Sequence, residues 1–240
     1  MSKIVLGFSG GVDSTVSTML LKKAGHEVYG LYMDNADEAA RQCAIDTAEF
    51  IGVPLTVLDV KAELERNVCR PFTEAYLRGE TPNPCIICNP STKFKNLLAE
   101  ADRVGAELVA TGHYARTENG RLMKGMPAND QSYMLCRLSR EQVRRTVFPL
   151  GGFEKKQVRA LAAEFGLPVA HKPDSMEICF IPDKDYIGWI SRRAAAGGRF
   201  HLPRRGRRAA RGHTPLHRRP APPWAYRRAQ GLHLPHQRSG

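Results

Sequence analysis

The chain has 240 residues, 42% of them hydrophobic and 25% charged, with a formal net charge of +12. Most of it can bury an ordinary core as one large domain or two small ones, and no apolar run approaches the roughly 20 residues of a membrane helix. The start, Met1-Ser-Lys-Ile-Val-Leu-Gly-Phe8, is too short and glycine-rich for a signal peptide, so a cytoplasmic protein without membrane attachment is expected. In chain order, Lys3 to Phe8 reads as a buried strand, Ser9 to Ser14 as a turn, and Thr15 to Ala24 as a helix stopped by Gly25. His26 to Met33 is a second strand, Asp37 to Ile51 a helix, and Val53 to Leu58 a third strand. Residues 62–78 read as helical, with a proline-rich loop from Thr81 to Pro90 after them. Helices are predicted over Phe94–Val104 and Glu154–Phe165, and strands over Glu107–Gly112 and Ile178–Ile181. The βαβαβ rhythm predicts an α/β fold with a parallel sheet flanked by helices.

The charge is not spread evenly. From Tyr186 to Gly240 there are thirteen Arg and no Lys, Asp or Glu, so residues 1–185 carry about −1. That last segment also holds seven Gly, six Pro and five His. Such a composition buries too little apolar surface to offset the entropy of ordering, so disorder is the default expectation. It reads as an RNA-binding arm or as a solvated tail. The predicted organisation is a nucleotide domain over residues 1–190 and an Arg/Pro/Gly-rich tail over 191–240.

Ser9-Gly10-Gly11-Val12-Asp13-Ser14 is the strongest chemical signal. Glycines between a strand and a helix let the backbone approach an anion, and the first N–H groups of the helix point at it. Ser9 and Ser14 add hydroxyls. Asp13 would repel a bare phosphate, which suits a neighbouring magnesium ion or a structural cap. The bland alternative is a capped glycine turn. The string is neither a Walker A loop, which ends in Gly-Lys-Ser/Thr, nor G-x-G-x-x-G.

The six cysteines are Cys43, Cys69, Cys85, Cys88, Cys136 and Cys179. A disulfide framework is not expected in a cytosolic chain of this size. Cys43, Cys69 and Cys136 read as small buried residues. Cys85 and Cys88 lie in Thr81-Pro-Asn-Pro-Cys-Ile-Ile-Cys-Asn-Pro90, where C-x-x-C spacing suits a shared metal, a cluster or a disulfide.

The loop Ser9–Ser14 resembles that of the PP-loop ATP pyrophosphatases. The resemblance sharpens with Thr81–Asn89, Lys93-Phe-Lys95, Ala110–Arg116, Asp130-Gln-Ser-Tyr133, Phe148–Gly151 and Asp174–Ile181, in that order. Together these look like the bacterial tRNA-uridine 2-sulfurtransferases, from about Lys3 to about Ile190. The resemblance implies a PP-loop (Rossmann-like) fold and transfer of AMP from ATP to the 2-oxygen of the wobble uridine, followed by thiolation. It implies ATP contacts at Gly7, Phe8, Ser9, Gly10, Gly11, Val12, Asp13, Ser14, Met33 and Gly112, although Met33 alone reads as a core methionine. It implies a persulfide on Cys179 and attack by Cys88. Target-base contacts fall on Asn83, Pro84 and Cys85, and tRNA contacts on His113, Asn129, Asp130 and Gln131. The implied partners are tRNAs with Lys, Glu and Gln anticodons, and a sulfur-relay protein or cysteine desulfurase. The rivals are another PP-loop adenylating enzyme and a non-catalytic RNA-binding or truncated remnant.

The chain departs from that family at three places. Cys85 stands where many members have Asp, and with Cys88 and Cys179 it makes a three-cysteine set like that of thiolases carrying a 4Fe–4S cluster; cluster-bound sulfide is then the second sulfur route. Asn129 stands where Lys is more frequent. After Ile181 the family continues into a connecting region and a β-barrel, which the tail does not resemble. Codons permitted for Thr214–Pro222, read one nucleotide later, can spell the family's H-R-F-T-V-G-Q-R, so a shifted reading frame is a third account of the tail. Any grip on tRNA from the near-neutral domain then falls to local groups such as Lys93, Lys95, Arg116, Arg144 and Arg145.

Overall fold

Ile4, Val5 and Leu6 are each at most 1% exposed, because the apolar run Lys3–Gly7 forms a strand, β1, covered on both faces. In the computed structural model, which describes residues 1–173, 178–181 and 185–196, β1 is the middle of a five-stranded sheet. The others are β2 (Glu27–Asp34), β3 (Leu55–Asp59), β4 (Leu108–Thr111) and β7 (Thr146–Val147), in the order β3-β2-β1-β4-β7. All four pairings are parallel, with Gly7 opposite Leu31 on one side and Thr111 on the other. Strand periodicity divides the core. Ile4, Leu6 and Phe8 pack with α1 (Val12–Lys23), α2 (Glu38–Phe50) and α8 (Lys155–Glu164) through Val16, Ala44, Ala48, Val158 and Ala162. Val5 and Leu31 face the other way, onto Phe94, Leu97 and Ala101 of α6 (Phe94–Val104).

The strands β2 and β3 add on one side of β1, and β4 and β7 on the other. The order therefore reverses between β1 and β4, and the crevice beyond their carboxyl ends is where open α/β sheets bind ligands. The turn after β1 and Gly112 after β4 both lie there.

Two helical runs contain π turns, and proline explains both. Lys61–Leu64 (α3) passes through a π turn at Glu65–Cys69 into α4 (Arg70–Leu77), where Arg70 N–H reaches Glu65 O just before Pro71. Pro84–Cys88 (α5) passes through Asn89–Lys93 into α6, with Phe94 N–H bonded to Asn89 O and Pro90 inside the turn. Proline has no N–H and crowds the preceding turn, and a wider turn relieves both problems. The segment read as a loop to Pro90 is thus helical from Pro84. The first helix likewise starts at Val12, not Thr15, so Asp13 and Ser14 belong to its first turn. Ile178–Ile181 is a turn closed by Ile181 N–H on Ile178 O (3.0 Å), not a strand. A hairpin not expected from the sequence joins β5 (Ala115–Glu118) to β6 (Arg121–Lys124) through Asn119-Gly120, both at positive φ. Residues 140–144 form α7.

The chain divides into two units, Met1–Phe72 with Asn83–Ser175, and Thr73–Pro82 with the residues from Met176 on. The sheet belongs to the first. In the second, α9 (Tyr186–Ala196) carries Trp189, whose ring lies 5.3 Å from that of Phe180 and under the Arg193 guanidinium. This helix includes the first six residues of the segment expected as a tail. The remainder of that segment, and Asp174–Glu177 of the last motif, lie outside the described residues.

Gly10 has φ +65°, and a β-carbon there would stand 2.6 Å from Ala44 Cα on α2. The left-handed conformation alone costs an L-residue roughly 1–2 kcal/mol, and the clash is with backbone that cannot step aside. Gly10→Ala should therefore lower stability by more than that figure, read as a fall in the urea midpoint at unchanged slope.

Candidate active site

The turn Phe8–Gly11 is tied to α1 by hydroxyls. Ser14 Oγ donates to Gly11 O (3.1 Å), which commits its one proton, so it accepts from Ser9 N–H (3.3 Å) and from the Ser9 hydroxyl (3.2 Å). Thr15 adds both its N–H (3.1 Å) and its Oγ1 (2.8 Å) to the same carbonyl. No side chain caps the N-terminus of α1; the N-cap is Gly11. The loop thus offers first-turn N–H groups, backed by the positive end of the helix dipole, to an anion. Gly112 closes the other side: a β-carbon there would lie 3.1 Å from Ser14 N and 3.0 Å from the Asp13 carbonyl carbon. The two turns after β1 and β4 touch because residue 112 has no side chain.

Asp13 is held by the chain itself. Lys155 Nζ lies 2.7 Å from both carboxylate oxygens, and Tyr114 Oη donates to Oδ1 at 2.8 Å. The lysine also stands over the Tyr114 ring, 5.8 Å from its centroid. Tyr114 is fixed in turn by Gln131, whose Oε1 accepts its N–H at 3.1 Å. Asn129 Oδ1 stands 3.5 Å from the Lys155 amide, and Asp130 accepts from Gly125 N–H (2.9 Å), Ser132 N–H (3.1 Å) and Ser132 Oγ (3.0 Å). The run 129–131 therefore braces the residues beside the loop.

Cys85 and Cys88 lie one helical turn apart on α5, both half-buried. Asn83 is the N-cap, its Oδ1 accepting Cys85 N–H at 3.1 Å, and Pro84 fills the first helical position, where no N–H is needed. Burial pushes the Cys85 thiol up, against the opposing charge of Lys93. A protonated thiol is no substitute for a carboxylate general base. Within this unit two thiols stand together, and among the described residues no three His, Cys, Asp or Glu form a metal-holding group. Cys179 belongs to the second unit, exposed in the turn Ile178–Ile181.

Met33, near the end of β2, is half-buried opposite Leu58 and packs against the α6-side core, as its reading as a core methionine has it. Of the expected tRNA-facing cations, Lys95 is paired with Glu63 (2.6 Å) and Arg145 with Asp102 (2.7 Å), whereas Arg144 is exposed. Cys43, read as a buried apolar residue, accepts from Lys172 Nζ at 3.0 Å and sits 3.7 Å from Gly10 O. The sequence reading missed the roles of Lys155, Lys172 and Tyr114. One signal for Lys155 was present: Glu154 and Gln157 form a capping box, which puts a lysine at the start of a helix, where the dipole disfavours cations unless an anion is near.

His113 Nδ1 shares a hydrogen bond with Thr111 Oγ1 (2.7 Å), and its ring lies among Phe94 and Phe148. Burial, and then the charge of Lys93, hold its pKa well below the ordinary 6.5. The unfolded chain binds the proton first as pH falls, so this contribution to stability is complete above about 6.5 and is lost below it. Unfolding midpoints should drop as pH falls below about 6.5, and His113→Gln should flatten that slope.

Comparison with known proteins gives the family. A tRNA-specific 2-thiouridylase MnmA of Geobacter metallireducens is 45% identical over 218 residues, covering 81% of this chain and 59% of that protein. Another MnmA, from Geotalea uraniireducens, is 46% identical over 211 residues, covering 78% of this chain and 56% of its own length. The chain thus spans under three fifths of these relatives. Among solved structures, one described as a "predicted subunit of tRNA methyltransferase" from Methanocaldococcus jannaschii aligns at 21% identity and a TM-score of 0.46, over 68% of this chain and 75% of that one. The family described as the tRNA methyl transferase HUP domain matches residues 2–183, most of the chain, and the chain belongs to that family.

Proposed function

We propose that the protein is an ATP-dependent tRNA-uridine 2-sulfurtransferase. The observation that carries this reading is an anion-receptive loop at the switch point in the same compact unit as a proline-started helix bearing Cys85 and Cys88. The names of the curated relatives, tRNA-specific 2-thiouridylases, support it.

Oxide is a poor leaving group, so the 2-oxygen of the wobble uridine is first made a better one. It attacks the α-phosphorus of ATP, supplied as its magnesium complex; the new O–P bond forms, the α–β bridge breaks and pyrophosphate leaves. The loop Gly7–Ser14, with Gly112 and Met33 beside the nucleotide, holds ATP in place. The chain's part is positioning and charge stabilisation through backbone N–H groups. Asn83, Pro84 and Cys85 shape the seat of the base, and Asn129, Asp130, Gln131 and His113 are the residues that this reading assigns to the tRNA side.

Sulfur arrives as a persulfide on Cys179, loaded by a sulfur-relay protein or cysteine desulfurase. The terminal sulfur attacks C2. The Cys88 thiolate then attacks the Cys179 sulfur, the S–S bond breaks, its electron pair forms the thiocarbonyl, and AMP departs. A Cys88–Cys179 disulfide remains, which an external dithiol, or two thiols, reduces while itself becoming a disulfide. In the competing 4Fe–4S route Cys85, Cys88 and Cys179 would hold the cluster, which would supply a sulfide as the donor; we route no step through it. The anticodon set expected for the substrates is that of Lys, Glu and Gln tRNAs.

Pyrophosphate release should depend on unmodified tRNA and persist in Cys88→Ser and Cys179→Ser, while 2-thiouridine formation is lost in both. Release independent of tRNA would overturn the reading. Iron-free protein, purified without oxygen and fully active in a single turnover, is the expected result for the persulfide route; activity that tracks iron content would overturn it.

A further inference from the structure

Tyr114 lies between β4 and β5 and is 2% exposed. Its backbone is clasped by the loop that follows β6, residues 125–131. Gln131 exchanges two hydrogen bonds with it: Oε1 accepts Tyr114 N–H at 3.1 Å, and the Gln131 N–H donates to Tyr114 O at 2.8 Å. Gly125 brings the other end of the loop against the same carbonyl, where a β-carbon would stand 2.5 Å from Tyr114 O. Asp130 ties the two ends together, accepting from Gly125 N–H and Ser132 N–H at one oxygen. The outer part of the loop, residues 126–128, is exposed. The Tyr114 side chain reaches away from this clasp. Its hydroxyl donates at 2.8 Å to Oδ1 of Asp13, in the first turn of α1 and 101 residues away in the chain. A bond from a buried residue to a carboxylate is strong and costly to leave unmade. With its backbone held at one end and its tip bonded at the other, the ring is a strut. The loop 125–131 cannot shift without moving Tyr114, and Tyr114 cannot move without disturbing Asp13.

We propose that Tyr114 couples the two substrate sites. A tRNA that engages the loop 125–131 fixes it, and through the Tyr114 hydroxyl fixes Asp13 and the first turn of α1. ATP then meets a turn with less freedom left to lose, so each substrate tightens the other. In the uncoupled state the loop is displaced and the hydroxyl has left Asp13. Tyr114 is a positioning residue that acts through Asp13 and Gln131. The inference rests on the reading of Ser9–Ser14 as the ATP site and of residues 129–131 as the tRNA side, and it accounts for pyrophosphate release that waits for tRNA.

The test is equilibrium binding to the full chain of the magnesium complex of α,β-methylene ATP, whose bridge does not break, with and without saturating unmodified tRNA. In the wild type, tRNA should tighten the nucleotide by about fivefold to a hundredfold, the usual span of coupling between sites. Tyr114→Phe removes one oxygen atom. It should bring that factor to within about twofold of one, while each ligand alone binds within about threefold of wild type. Gln131→Ala should lose the coupling as well, and the double variant should lose no more than either single one, because both act through the same strut. Undiminished coupling in Tyr114→Phe overturns the proposal, as does a wild type that binds both ligands without coupling. A wild type that binds no nucleotide, or no tRNA, overturns instead the reading on which the proposal rests.

Discussion

The turn after β1 is pressed between two backbones, and the first unit is arranged around that constraint. On one side Ala44 of α2 leaves no room for a β-carbon at Gly10; on the other, a β-carbon at residue 112 would press at 3.0–3.1 Å on Asp13 and Ser14. Close packing of this kind does two things. It lets α1 begin within hydrogen-bond distance of whatever occupies the crevice, and it fixes the first-turn N–H groups before any ligand arrives. Preorganised donors lose little freedom on binding, which makes backbone amides effective without a lysine inside the loop itself.

The charge of Asp13 shows how the surroundings modify the loop. From the residues alone this carboxylate suggested either a metal ion or a cap. In the folded chain it does not cap the helix: it accepts from Lys155 and Tyr114, and Gln131 steadies Tyr114 from behind. The segment associated by resemblance with tRNA is thereby joined, through two hydrogen-bonded residues, to the segment associated with ATP. Each is within the same unit, so the connection is made of packed, bonded groups.

Much of this was legible before the fold was known. The strands β1 to β4 stand out as apolar runs, and the glycines of the loop and at 112 mark where the chain turns. What escaped notice has identifiable physical causes. Asp13 and Ser14 favour caps and turns, which hid their place in the first turn of α1. Pro84 and Pro90 suggested a loop, because a proline at a helix start and a proline absorbed by a π turn look alike in sequence. The Asn119-Gly120 pair is a strong hairpin signal that was overlooked. Lys155 and Lys172 were beyond reach for another reason: no local pattern ties them to residues more than a hundred positions away.

The π turn at Asn89–Lys93 has a geometric consequence for the thiols. An α-helix advances about 100° per residue, so the extra residue in the wide turn sets the azimuth of α5 relative to α6. Phe94 and Leu97 anchor α6 in the core, and the cysteines ride on the segment before the turn. Removing one residue from the turn would give a more regular helix. It would also swing Cys85 and Cys88 through more than a quarter of a circle, so the irregularity aims the sulfur atoms.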